Sequence, residues 1–151
     1  MYRMFVFAFA LVLSVSAANA ADFLVKKQSP HSVAKTLDRL TAIMQNKGIT
    51  IFARVNHQAG ATRVGLELKP TQLLIFGNPR LGTPLMQANR EIGVALPLKV
   101  LAWEGDDGKV WLAYTKPDVL KSRYNITGKD EVFKKMTGAL NNLTNAAIKA
   151  E

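Results

Sequence analysis

The chain has 151 residues, a formal net charge of +9 and no cysteine. This length supports one folded domain, because two halves would each approach the lower size limit for a stable core. The absence of cysteine excludes a disulfide scaffold, a thiolate metal site and a cysteine nucleophile.

The first twenty residues have the three parts of a secretory signal. Arg3 supplies a positive charge, Phe5 to Val15 form an apolar run, and Ala18-Asn19-Ala20 matches an A-x-A cleavage site. The run is too short to cross a hydrocarbon core of about 30 Å as a helix. We therefore predict a signal peptide over residues 1–20 and a mature protein, periplasmic or secreted, without a membrane span. An uncleaved anchor is the alternative.

Export changes what the positive charge implies. A basic cytoplasmic domain would suggest nucleic acid, but a periplasmic protein meets little of it. The basic residues are also dispersed, with no basic run that is interleaved with aromatic residues. We expect no nucleic-acid binding. Two interpretations stay open, namely weak attraction to an anionic envelope surface and a solvated surface that keeps the protein soluble.

The first predicted elements of the mature chain are a strand and a helix. Phe23–Gln28 predicts a short strand, and Ser29-Pro30 predicts an N-cap followed by proline in the first helical turn. Apolar residues recur at helical spacing from Val33 to Met44, and Gly48 follows as a stop signal.

Two further strands and a short helix are predicted next. Ile49–Val55 is rich in β-forming residues and runs into a loop over Asn56–Ala61. Gln72–Phe76 is apolar and predicts the third strand. Thr83-Pro84 predicts the start of a short helix.

A hairpin and helical segments complete the chain. Leu98–Glu104 and Lys109–Thr115 flank Asp107-Gly108, and an Asp-Gly turn between two alternating runs is a strong hairpin signal. Pro117 opens a helical segment that extends to about Tyr124. The last helix is predicted over about residues 129–149, with its apolar residues in one stripe.

This order of elements is βαββ, short helix, ββ, helix. It predicts an α+β fold of two layers, in which helices pack on one face of a mainly antiparallel sheet. The sequence contains no linker or internal repeat, so we assign residues 21–151 to a single domain.

The sequence offers little metal or nucleophile chemistry. His31 and His57 are separated by a helix and a strand, and neither belongs to a His-x-x-Glu or His-x-His pair. No Gly-x-Ser-x-Gly elbow occurs, and Ser29 and Ser32 resemble helix-start residues. We therefore expect no metal and no cofactor, and we favour a protein that is not an enzyme.

The most distinctive segment runs from Phe76 to Met86. Gly77 to Thr83 nearly matches a phosphate loop, but the lysine that reaches the phosphates is missing and Pro79 removes an amide donor. We expect no nucleotide binding. A weaker anion site, formed by Arg80 and amides at the helix start, stays open. The alternative is a tight connector whose glycines allow unusual dihedral angles.

His57 is the candidate catalytic residue. It follows a predicted strand, where a histidine can act as acid, base or hydrogen-bond donor near neutral pH. The alternative is a histidine that holds its loop through hydrogen bonds to the backbone. His57 and Asn78 each follow an apolar strand, so we expect their side chains to lie within about 5–10 Å of each other at one end of the sheet.

Several stretches together form a recognisable pattern. They are Ser29, Val33, Leu37, Gly48, Phe52-Ala53-Arg54-Val55-Asn56-His57, Leu68-Lys69-Pro70-Thr71, Leu73-Leu74-Ile75-Phe76-Gly77-Asn78-Pro79, Gly82-Thr83-Pro84-Leu85-Met86 and Leu96-Pro97-Leu98-Lys99-Val100. The pattern resembles the domain-of-unknown-function 302 family, most strongly over residues 23–124. Relatives usually have Asp-His at the first strand end. Asn56 replaces that acid here, and it stabilises a charged His57 less well.

The resemblance implies a TATA-binding-protein-like α+β fold that is often paired as a homodimer. It brings no established activity, and the fold name does not carry DNA binding with it. The family's signature positions fall on two loops that each leave a strand. With their neighbours they supply the predicted ligand-binding residues, namely Asn56, His57, Phe76, Gly77, Asn78, Arg80, Gly82, Thr83 and Met86.

We therefore predict an exported, non-catalytic binding or accessory domain. It takes a small ligand or a cell-envelope partner where these loops meet. One alternative is an enzyme that uses His57 as general acid or base and the Gly77–Thr83 loop to stabilise an anion. A second is a purely structural dimer module in which both loops are packing devices.

Overall fold

The structure is a computed structural model that describes residues 23–150. The predicted signal peptide lies outside these residues. Among them, no helix is both long and apolar enough to cross a membrane.

The described chain folds into five strands, five α-helices and one 3₁₀ helix. In chain order these are β1 (Leu24–Ser29), α1 (Val33–Asn46), β2 (Thr50–Asn56), α2 (His57–Arg63), β3 (Thr71–Gly77), α3 (Pro79–Ala88), the 3₁₀ helix (Arg90–Val94), β4 (Leu98–Glu104), β5 (Val110–Thr115), α4 (Pro117–Arg123) and α5 (Asp130–Ala147).

The five strands form one antiparallel sheet in the order β1-β5-β4-β3-β2. Helices α1 and α5 pack against one of its faces. Leu74, Val100 and Leu112 from the strands meet Leu37 and Leu140 from the helices in a shared core, and all five side chains are buried. This arrangement confirms the predicted α+β fold.

A lysine on β1 fixes the far end of α5. The Nζ atom of Lys27 donates to Oδ1 of Asn141 at 2.8 Å, to Oγ1 of Thr144 at 2.8 Å and to Oδ1 of Asn145 at 2.6 Å. Partial burial lowers the pKa of Lys27 below its ordinary value, but these oxygens replace the water that the ammonium group loses. The contact holds α5 across the sheet and so positions the middle of the helix.

The hairpin and the last helix agree with prediction. Gly108 has a φ of +75° at the turn between β4 and β5, and the amide of Gly105 donates to the carbonyl of Lys109 at 2.8 Å. The apolar stripe predicted for α5 comprises Val132, Phe133, Met136, Leu140, Leu143 and Ala147, and the helix buries all of them except Val132, which is half-buried.

Helix α1 begins later than predicted. Ser32, not Ser29, is its N-cap, and the Ser32 side chain accepts a hydrogen bond from the amide of Lys35. Ser29 instead ends β1, where its hydroxyl lies 2.7 Å from that of Thr36. The buried Ser29–Thr36 pair joins the strand to the helix.

The structure adds a helix where a loop was predicted, and it lengthens another. Helix α2 starts at His57 because the side chain of Asn56 caps it, accepting from the amide of Ala59 at 2.9 Å. Helix α3 starts at Pro79, with Asn78 as its N-cap, and Pro84 lies inside it. The prediction that this helix starts at Thr83-Pro84 was therefore wrong.

The second face of the sheet is only partly covered. It carries the apolar side chains Leu73, Ile75, Leu101, Trp103 and Trp111, and none of them is fully buried. Lys26 lies over both indole rings, 5.0 Å from that of Trp103 and 4.2 Å from that of Trp111.

Candidate functional site

The loop and helix after β3 border an apolar cavity of about 380 Å³. It lies among the end of β3, helix α3, the segment that leads into β4, and the middle of α5. Its lining residues are Lys47, Ile49, Phe52, Phe76, Gly77, Asn78, Pro79, Leu81, Gly82, Thr83, Met86, Leu96, Pro97, Leu98, Met136, Ala139, Leu140 and Leu143. Most of these are hydrocarbon or thioether side chains, which favour an apolar occupant.

The polar side chains of the lining lie at its surface. Phe76, Met136 and Leu140 are buried, whereas Lys47, Asn78 and Thr83 are exposed. Within residues 23–150, Lys47 is the only charged residue of the lining, and no carboxylate contributes to it. The cavity therefore combines an apolar interior with a small, positively charged rim.

A β-bulge places an aromatic ring at this rim. Ile51 pairs with Phe76 and Ala53 with Ile75, so Phe52 is an extra residue without a partner on β3. Bulges of this kind redirect a side chain. The Phe52 ring lies against the end of β3 and is 55% exposed.

Three backbone amides at the start of α3 already have acceptors within the chain. The amide of Arg80 donates to Oδ1 of Asn78 at 2.9 Å, and the amides of Leu81 and Gly82 donate to its carbonyl at 2.9 and 3.0 Å. The donors that an anion needs at a helix start are therefore already used. The anion-stabilising loop over Gly77–Thr83 therefore lacks free amide donors at Arg80, Leu81 and Gly82, and it stays a prediction.

Neither glycine of this segment adopts the dihedral angles expected of a tight connector. The glycines with positive φ are Gly48, Gly65, Gly108 and Gly128. Gly77 and Gly82 instead leave room, since Cβ atoms at these positions would contact Phe52 and Leu96, respectively. The missing side chains thus help to keep the cavity open.

His57 and Asn78 lie at opposite ends of the sheet. Asn56, just before His57, pairs with Gln72 at the start of β3, whereas Gly77, just before Asn78, pairs with Thr50 at the start of β2. Strands of seven residues separate these ends by about 20 Å. The predicted proximity was wrong, because antiparallel pairing places the exit of one strand beside the entry of its neighbour.

The predicted site therefore divides into two groups. Six of its residues line the cavity, namely Phe76, Gly77, Asn78, Gly82, Thr83 and Met86. Asn56 and His57 lie at the other end of the sheet, and Arg80 is exposed outside the lining. The His57 side chain is also exposed, and Asn56 has a structural role as the cap of α2.

Sequence reasoning missed the part of the site that comes from other elements. Lys47 follows α1, Phe52 belongs to β2, and Met136 with Leu140 belongs to α5. The sequence did carry a signal for Phe52, because this residue belongs to the β-forming stretch before His57, and that stretch pairs with β3, the strand that leads into the Phe76–Met86 segment. The stripe of α5 carried no such signal, because core-filling and cavity-lining residues have the same helical spacing.

Comparison with known proteins decides the family. The model of the family described as "Domain of unknown function DUF302" matches residues 25–143. The chain belongs to the DUF302 family. The family prediction is thereby confirmed.

A solved DUF302 structure has the same fold. It is the crystal structure of an uncharacterized conserved DUF302 protein from Bacillus stearothermophilus. It matches with a TM-score of 0.75 and 19% identity, covering 84% of this chain and 99% of that chain.

Two larger Brucella proteins each contain a stretch that is more similar in sequence to this chain than the solved DUF302 structure is. "Fluoride-specific ion channel FluC 1" of Brucella suis biovar 1 (strain 1330) is 50% identical over 103 residues, which are 68% of this chain and 41% of that protein. The protein of the same name from Brucella abortus biovar 1 (strain 9-941) is also 50% identical over 103 residues, or 38% of its length. The DUF302 chain thus spans about two fifths of these curated relatives.

Proposed function

We propose that this DUF302 protein is a non-catalytic binding module that takes a small, mainly apolar ligand. The observation that carries the proposal is the cavity of about 380 Å³ with its apolar interior. Pockets for small molecules usually have volumes of about 300–1,000 Å³, apolar walls and few polar groups. A ligand that fills the cavity would gain free energy of about 25 cal/mol for each Å² of apolar surface that it removes from water.

The arrangement favours binding over catalysis. An acid–base mechanism needs a titratable group within hydrogen-bond reach of the reacting atom. Among the residues that the structure describes, the lining contains Lys47 but no histidine or carboxylate, and His57 lies at the opposite end of β2. The enzyme alternative would therefore have to join two regions that are about 20 Å apart.

An accessory role at the cell envelope is the second part of the proposal. The Brucella proteins named fluoride-specific ion channels contain a stretch like this chain, together with more than half of their length that lies outside the match. The presence of a similar stretch within proteins that are named as ion channels supports a role for this chain beside a membrane protein. Because the match is partial, fluoride conduction is not proposed for this chain.

Fluorescence titration with the neutral probe N-phenyl-1-naphthylamine tests the binding proposal. Gly82→Leu adds a side chain whose Cβ would lie 3.7 Å from Cδ1 of Leu96 and 4.0 Å from Cε of Met86, inside the cavity. Gly138→Leu is the matched control, because Gly138 also lies in a helix and a Cβ there meets nothing within 4 Å. Both changes replace a helical glycine by the same better helix former.

We expect the wild type and Gly138→Leu to bind the probe with similar affinity and Gly82→Leu to bind it at least tenfold more weakly. Equal binding by all three proteins would place the probe elsewhere and contradict the proposal. No binding by the wild type would do the same.

We also propose that the chain forms a homodimer through the partly covered face of the sheet. Leu101 and the two tryptophans on this face supply apolar surface that a second copy could bury. Light scattering should give twice the monomer mass for the wild type. Leu101→Glu should give the monomer mass, with Lys134→Glu on the exposed side of α5 as control.

A further inference from the structure

We infer that the cavity ligand is a single-chain amphiphile with an unbranched hydrocarbon tail and an anionic head group, as in a fatty acid. This inference rests on the proposed function, since it names the class of ligand for the same cavity. The tail would occupy the apolar interior, and the head group would lie at the rim beside Lys47.

The methionine side chains and the volume of the cavity favour a flexible tail. Met86 and Met136 line the cavity from opposite elements, α3 and α5. Methionine side chains adapt to irregular and mobile apolar shapes. A methylene group occupies roughly the volume of a water molecule, about 30 Å³, so a cavity of about 380 Å³ holds a tail of roughly ten to twelve carbons.

The start of α3 does not provide the charge for the head group, because its amides of Arg80, Leu81 and Gly82 are already bonded to Asn78. Among the described residues, selectivity for the charge of the head group then rests on the side chains of the rim.

The rim selects for negative charge. Lys47 lies just after α1 and three residues before β2, whose first residue pairs with Gly77. Lys47 lines the cavity together with Gly77 and Asn78, and Asn78 adds a neutral amide group to the rim. Within residues 23–150, Lys47 forms no ion pair. A carboxylate or phosphate could pair with it without displacing an existing partner.

Lys47 also has an ordinary structural role. It is the C-cap residue of α1, where a positive charge stabilises the helix dipole. Loss of the charge will therefore lower stability somewhat whether or not a ligand binds there. Ligand selectivity, which a purely structural lysine would not alter, is the informative measurement.

Displacement of N-phenyl-1-naphthylamine by three ten-carbon competitors tests the inference. They are decanoate, 1-decanol and decyltrimethylammonium, which share a tail and differ in head-group charge. Each is measured with the wild type, with Lys47→Met, and with Lys134→Met. The last variant removes the same charge from an exposed position outside the lining and so controls for the attraction of anions to the basic protein as a whole.

We expect the wild type to bind decanoate more tightly than decyltrimethylammonium, and decanol serves as the neutral reference. Lys47→Met should weaken decanoate by about two- to fivefold, the range for one solvent-exposed ion pair, and leave decanol unchanged. Lys134→Met should change neither. Equal effects of Lys47→Met on decanoate and decanol, or tightest binding of the cationic amphiphile, would overturn the inference.

A chain-length series tests the tail. Affinity for carboxylates should rise about fourfold per added methylene, which corresponds to about 0.8 kcal/mol, and should stop rising near ten to twelve carbons. Decanoyl lysophosphatidylglycerol distinguishes the source of the head group. If it binds more tightly than decanoate and Lys47→Met weakens that binding, the ligand is a lysophospholipid. If it binds more weakly than decanoate, the ligand is a free fatty acid. Binding of neither compound, when the neutral probe still binds, would overturn the inference and leave the proposed function intact.

Discussion

Phe52 lies so close to Gly77 that a side chain at Gly77 would make an unusually tight contact with its ring. A Cβ atom at that position would be 3.2 Å from Cε2 of Phe52. The bulge in β2 turns Phe52 toward the end of β3, and the absence of a side chain at Gly77 leaves space for the ring. These two residues thereby define one side of the cavity entrance.

Gly77→Ala should displace the Phe52 ring, which is free to move because it is half exposed. In a double-mutant cycle with Phe52→Ala, we expect the two substitutions to be non-additive by about 0.5–1 kcal/mol. The gain in backbone rigidity from replacing glycine occurs in both backgrounds and cancels. Urea unfolding of the four proteins measures the coupling, and additivity within about 0.3 kcal/mol would contradict the contact.

Gly108 should tolerate few side chains. Its φ of +75° is unfavourable for β-branched residues, so Gly108→Val should lower the free energy of unfolding by about 1–2 kcal/mol. Gly108→Asn should lower it less, because asparagine enters this region more readily. Chemical denaturation checks both values. Equal losses for the two variants would argue against backbone strain as the cause.

The ion pair of Lys121 with Asp130 should make stability depend on pH. Its hydrogen bond and charge lower the pKa of Asp130 below the ordinary value of 3.8. A lowered folded-state pKa contributes stability above the unfolded pKa, and that stability is lost as the pH falls through the folded pKa. Lys121→Met should therefore lower Tm slightly at neutral pH and not in strong acid.

Asp130 is exposed and Lys121 is half-buried, so about 1 M salt should also reduce the difference between Lys121→Met and the wild type. Lys134→Met on α5, the helix that contains Asp130, is the control for loss of a positive charge. A difference that persists at acid pH would show that Lys121 stabilises the protein by another route, such as packing of its aliphatic chain.

Export should remove the first twenty residues. The motivation is Ala18-Asn19-Ala20 after the apolar run. The intact mass of the protein from the periplasm should correspond to a chain that starts at Ala21, and Ala20→Leu should block cleavage because the site requires a small residue. A membrane-bound product that retains Met1 would contradict both the cleavage and the proposed site of action.

The hairpin and α5 could be predicted because each depends on local sequence. Asp107-Gly108 fixes a turn between adjacent strands, and the apolar stripe of α5 has an unbroken helical period. Helix α2 could not be predicted in the same way. It buries no residue, and therefore lacks an apolar period, so the cap that Asn56 provides is its main signal.

The separation of His57 from Asn78 follows from the antiparallel pairing of β2 and β3. A mainly antiparallel sheet already requires that the exits of two paired strands lie at opposite ends. The cavity could not be predicted from the sequence, because Met136 and Leu140 are about sixty residues from Gly77 along the chain. Only the packing of α5 on the sheet shows that its stripe leaves a space beside α3.

Native mass spectrometry of the protein purified from the periplasm shows directly whether a ligand binds in the cavity. We expect the wild type and Gly138→Leu to carry, or to take up from added decanoate, one amphiphile per chain, and Gly82→Leu to carry none. Equal occupancy of Gly82→Leu and the wild type, or a wild type that stays bare with decanoate present, would contradict a ligand in the cavity.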